Sequence, residues 1–209
     1  MKTLKLTAEH FDPDNNYIGE VDLSDYPGHI EIAAGLGNVK FRRITAKGWL
    51  VAGSGIKAGE GIKAGWGIEA GLGIEAGWGI TAGSGITAGW GIEAGEGIEA
   101  GEGIKAGSGI KAGWGIKAGE GIEAGLGIKA GLGITAKGWL VAGSGIKAGS
   151  GIKAGWGIEA GSGIEAGLGI TAGDHLQTED VTDDPARPTH RQSGFTPAPG
   201  DLSRKPTED

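Results

Sequence analysis

The sequence predicts an all-β fold, a single-chain β-solenoid, and three observations carry the prediction. Gly supplies 47 of the 209 residues, whereas ordinary globular chains carry about 7 %, so internal repeats are the first thing to seek. An aliphatic residue returns at every sixth position from Ile44 to Ile170, in 21 steps. An Ala stands two positions after each of them, as in Ile62-Lys63-Ala64.

The repeating unit is therefore Gly-Ile-x-Ala-Gly-X. In an extended strand, residues two apart point to the same face and the one between them points away. The intervening residue is Lys, Glu, Thr or Val, so the Ile/Ala face is inward. Collagen is excluded, because Gly falls at alternating intervals of four and two instead of every third residue. A helix is excluded too, since each interior Gly costs about 1 kcal/mol relative to Ala. The Gly-X-Gly portion turns the chain, and Gly suits it through access to positive φ and close backbone approach.

Three regions follow in order. Residues 1–43 are non-repetitive and strand-rich, with alternation in Leu4-Lys-Leu, Tyr17-Ile, His29-Ile-Glu-Ile and Val39-Lys-Phe. They read as an N-terminal β cap over the first open coil. Residues 44–173 are the solenoid. Residues 174–209, rich in Pro, Asp, Thr and Arg, read as a disordered tail. The net charge of −7 divides as −2, −1 and −4 over residues 1–43, 44–172 and 173–209. A nearly neutral rod weighs against direct nucleic-acid binding.

The coil could hold two units (twelve residues, two-sided) or three (eighteen residues, triangular). With twelve, the outward charges make seven opposite and two like contacts between neighbouring coils, against five and three with eighteen. Opposite charges on a sheet help by roughly 0.2–1 kcal/mol each, so the twelve-residue coil is favoured. Eleven coils would then make a rod about 50 Å long. An internal duplication points the other way. Residues 44–83 and 134–173 differ only at Glu60/Ser150, Leu72/Ser162 and Trp78/Leu168, and their offset of 90 residues is five whole eighteen-residue coils. All three differences fall at X. Glu, Leu, Trp and Ser could not interchange in a packed core, so X is exposed.

The regular aliphatic hexads resemble the hexapeptide-repeat proteins, left-handed β-helices that include acyltransferases and γ-class carbonic anhydrases. The resemblance covers about 130 residues. The phase differs: in that family the small residue sits two before the aliphatic one, and here Ala comes two after it. The near-perfect repetition also resembles Gly-rich repeat proteins of phages and other mobile elements.

An enzyme is not expected. The family's acyltransferases use a His base and its carbonic anhydrases three His on a metal, but His10, His29, His175 and His190 all lie outside the repeat. There is no Cys, so no thiolate site exists, and the Gly-rich strings open no helix that could hold phosphate. No catalytic residue, metal or cofactor is assigned. The N-terminus lacks a secretory h-region and no apolar run suits a membrane helix, so a cytoplasmic protein is expected.

Two sets of residues are candidates for binding. With twelve-residue coils Trp66, Trp78, Trp90 and Trp114 fall on one edge, a ladder spaced about 4.8 Å per coil. Aligned exposed aromatics mark binding sites, or else they stack on one another to cover the glycine corners. Glu93, Glu96, Glu99 and Glu102 would encircle one coil, as a patch for a basic partner, a weak divalent-ion site, or a solvated ring balanced by Lys105 and Lys111. The function expected is a non-enzymatic rod that binds a protein, such as a phage-borne inhibitor of a host defence complex of the anti-CRISPR kind. The alternative is a structural rod, spacer or self-assembling filament that associates by its ends or edges.

Overall fold

The computed structural model describes residues 1–183, and it is a β-solenoid whose coil contains eighteen residues, not twelve. Ile62 pairs in parallel with Ile80, and Ile80 with Ile98, each partner eighteen positions on. Three parallel sheets result, of ten, nine and eight strands. Face I runs from Thr3–Leu6 through Leu50–Ala52 to His175–Gln177. Face II runs from Asn38–Phe41 through Gly55–Ala58 to Asp180–Asp183, and face III from Ile44–Ala46 to Gly169–Thr171. The rod has about eight coils instead of eleven, which makes it about 40 Å long.

The inward positions follow the sequence pattern. Every Ile from Ile44 to Ile164 is at most 1 % exposed and the Ala residues of the regular coils at most 4 %, giving one continuous core of stacked Ile and Ala ladders. Several corner backbone groups are also bonded between coils. Gly77 N–H donates to the Ala58 carbonyl (2.9 Å), Trp78 N–H to Glu60 (3.1 Å) and Ile80 N–H to Gly97 (3.0 Å).

The corners explain why the coil closes after three units. Among the described glycines, positive φ is confined to Gly35, Gly37 and Gly169, so the regular corners do not use the left-handed region expected for them. A chain that bends without left-handed residues turns gradually, and three such bends close a coil more readily than two sharp reversals. Glycine is needed there for space. A Cβ on Gly77 would lie 2.1 Å from the Gly59 carbonyl oxygen of the coil before. The charge count that favoured twelve residues concerned exposed pairs worth under about 1 kcal/mol each, and corner geometry repeated at every unit outweighs it.

The solenoid extends at both ends beyond the regular repeat. Asn16 bridges Lys40 and Tyr26 bridges Ala46, so residues 1–28 form an irregular first coil. Tyr17-Ile was expected as a strand, but Tyr17 makes only an antiparallel bridge to Phe11. Phe11 meets Tyr17 and Phe41 edge to face at 5.9 and 5.8 Å, and Tyr17 and Phe41 lie tilted to each other at 5.7 Å. At the other end His175–Gln177 and Asp180–Asp183 pair with Gly157–Glu159 and Gly163–Ala166, so the sheets continue past the expected limit at residue 173. The expected tail from residue 184 onward lies outside the described residues.

Candidate functional site

With three units per coil, the X residues divide among three edges, each a vertical row one coil apart. Edge I–II carries Ser54, Leu72, Trp90, Ser108, Leu126, Ser144 and Ser162, and edge II–III carries Glu60, Trp78, Glu96, Trp114, Leu132, Ser150 and Leu168. Edge III–I carries Gly48, Trp66, Ser84, Glu102, Glu120, Gly138 and Trp156. The expected ladder of Trp66, Trp78, Trp90 and Trp114 is therefore dispersed. Trp66 and Trp90 stand on separate edges, and Trp78 and Trp114 share a third with Glu96 between them. Among the described residues no two Trp rings stack. All four remain exposed, from 46 % for Trp66 to 63 % for Trp90.

Edge III–I gathers a different aromatic set. The two Lys-Gly-Trp corners put Gly48 and Gly138 at X and move the indole one position on, to Trp49 and Trp139. That position is glycine in the other regular coils, where the bare backbone leaves a shallow channel along face I. Each indole lies in this channel over the next coil: a Cβ on Gly67 would come within 2.0 Å of the Trp49 ring, and one on Gly157 within 2.4 Å of Trp139. His29 accepts the Trp49 backbone N–H at Nδ1 (2.9 Å) and meets Trp66 edge-on at 5.0 Å. His175 meets Trp139 in the same manner at 5.5 Å.

Two copies of one aromatic pair thus stand on this edge, Trp49 with Trp66 and Trp139 with Trp156. They are five coils apart, about 24 Å. Between them, Gly85, Gly103 and Gly121 floor a trough of about 390 Å³ whose far end is closed by Trp139. Thr87, Lys105, Glu123 and Val141 line its side, and Ser84, Glu102 and Glu120 directly precede its floor glycines in the chain. Neither Glu102 nor Glu120 has an ion pair among the described residues, and they are adjacent in the edge row. Trp49, Trp139 and Trp156 were not assigned to a site from the sequence. The signal for them was the 90-residue offset, which returns the second pair to the edge of the first only if the coil has eighteen residues.

The four expected glutamates do share one coil, yet they do not encircle it. Glu93 lies on face II, Glu96 on edge II–III, Glu99 on face III and Glu102 on edge III–I. Glu93 is paired with Lys111 and Glu99 with Lys117 (2.8 Å) on the next coil. Lys105, expected to balance this ring, pairs with Glu123. Near the N-terminal end of edge II–III, Glu60 binds Arg42 (2.8 Å) and Arg43 (2.9 Å). The Arg42 hydrogen bond holds its carboxyl below the usual carboxylate range. Arg43 also lies over the Trp78 ring at 5.7 Å, a cation–π contact. Among the described residues no three His, Asp or Glu converge in a way that could hold a metal ion. No helix there is long and apolar enough to cross a membrane.

Face II differs from the other two faces. A groove of about 770 Å³ follows it from Asn38 to Glu165. Its floor is the column of Gly73, Gly91, Gly109, Gly127, Gly145 and Gly163, and its wall is a column of Lys and Glu.

No family of proteins, no curated protein and no solved structure matches this chain.

Proposed function

We propose that this chain is a non-enzymatic binding rod of the hexapeptide type that takes a protein partner along edge III–I. The observation that carries the proposal is the repeated aromatic pair, Trp49/Trp66 and Trp139/Trp156, bracketing Glu102 and Glu120, which have no ion pair among the described residues. Trp anchors dominate interface energetics and also take cations on their faces, and two uncompensated carboxylates attract positive charge. The edge suits a partner with Lys or Arg side chains about 24 Å apart on an apolar surface. Host complexes that handle nucleic acid present many such cations. An inhibitor of a host defence complex, of the anti-CRISPR kind, is the fuller form of this proposal.

The test is capture from a host lysate by the tagged full chain and by two variants. Trp66→Ala/Trp156→Ala is expected to lose the partner, while Trp90→Ala, on another edge, retains it. Equal recovery by all three proteins would remove edge III–I from the account.

A further inference from the structure

The outward charges of the three faces are arranged differently. On face I, Glu69, Lys105, Glu123 and Glu159 never neighbour a like charge, and on face III neither do Lys63, Glu99, Lys117 and Lys153. Face II reads Lys40, Lys57, Glu75, Glu93, Lys111, Lys129, Lys147, Glu165, one charge per coil without a gap. Here like charges are stacked, Lys40 on Lys57, Glu75 on Glu93 and three lysines in succession, Lys111, Lys129 and Lys147. Like charges directly opposed on a sheet destabilise it by roughly 0.2–1 kcal/mol. Lys129, in the middle of the three, has no ion pair among the described residues.

An inverted copy of the same column answers this arrangement. With the two rods antiparallel and Lys111 at the centre, Lys57 faces Glu165 of the second copy, Glu75 faces Lys147, and Glu93 faces Lys129. The symmetry doubles each contact, giving six opposite pairs; Lys111 meets its own copy, and Lys40 falls level with Thr182 and gains no opposite charge. Both rods have the same coil spacing, so the register holds along the whole face. Parallel rods would instead set every charge level with its like.

The edges that flank face II agree with this register. Trp114 lies on the coil of Lys111, 59 % exposed, and would meet its own copy across the axis. Trp90 and Leu126 lie one coil to either side on the opposite edge, 63 % and 57 % exposed, and would meet each other. The glycine channel gives long side chains of the second copy room to lie flat. The face measures about 30 Å by 15–20 Å, some 500 Å² per copy and about 1,000 Å² in total, the lower end for a specific interface.

We propose that face II is a homodimer interface on which a second copy of the chain lies antiparallel, the two-fold axis running along the strands through Lys111. Edge III–I lies opposite face II in the cross-section, so it stays open on both copies and this interface does not depend on its role.

The test is sedimentation of the purified full chain with charge-swapped variants. The wild type is expected at twice the 20.9 kDa chain mass. Glu93→Lys weakens the dimer by about tenfold or more, and Glu93→Lys/Lys129→Glu, which restores the facing pair, recovers it. The chain has no cysteine, so Lys111→Cys gives a single thiol that a short bis-maleimide should link across the axis, while Lys153→Cys on face III should not link. A monomer at every concentration, a dimer unmoved by Glu93→Lys, or equal linking at position 153 would overturn the proposal.

Discussion

Each unit contains two glycines that look equivalent in the sequence, and the stacked coils make them different. A Cβ on Gly77, before X, would lie 2.1 Å from the Gly59 carbonyl oxygen, and one on Gly79, after X, lies 3.3 Å from the Gly97 oxygen. The first contact cannot be relieved by a rotamer, because its partner is backbone. The second needs a shift of a few tenths of an ångström. Gly77→Ala should therefore cost about 1–3 kcal/mol, as overpacking does. Gly79→Ala should stay within about 1 kcal/mol of wild type, since the lost freedom of the unfolded chain offsets mild crowding. Urea midpoints of the two variants measured side by side check this, and equal losses would contradict the distinction.

Strands of three residues are too short to be stable alone, and the core they build is one Ile and one Ala deep per face. Their stability comes from the neighbours above and below, as in other repeat architectures. Ile98, 1 % exposed, touches the Ile ladder on both sides through Ile80 and Ile116. Ile98→Ala should cost about 2–5 kcal/mol, and hydrogen exchange should quicken first in the strands of Ile80 and Ile116. Thr135→Ala, at an outward position of the same face, should change stability by no more than about 0.5 kcal/mol. At this scale the sequence was legible: the inward Ile and Ala and the outward charges follow from strand alternation, and the exposure of the large X residues from the positions at which the duplicated segments differ, whereas Ser54, also at X, is buried. The Phe11–Tyr17–Phe41 cluster was not legible, because it depends on which coil residues 1–28 stack upon.

For the whole rod, the phase between its two halves matters more than its length. Any multiple of six residues can be removed without breaking the Ile/Ala pattern, but only multiples of eighteen return the chain to the same face. Deletion of residues 86–103 should give a folded rod that keeps Trp66 and Trp156 on one edge. Deletion of residues 86–97 should also fold and set the two on different edges. Circular dichroism should show β structure for both. If edge III–I takes the partner, the shorter deletion loses capture, and the longer one tests whether the spacing of the two pairs and Glu102, which it also removes, are required.

The sequence by itself determined the six-residue unit, its strand and its corner, and the side of the chain on which each residue stands. Those properties belong to a few adjacent residues, and hydrophobic alternation reports them directly. Only the tertiary structure decided how many units close a coil. A six-residue period is equally compatible with two or three units per coil, and the choice depends on corner bend angles and on the carbonyl packed against each leading glycine eighteen positions away. That choice separated Trp66, Trp78, Trp90 and Trp114, united Trp49 and Trp66 with Trp139 and Trp156, and set the charge column of face II.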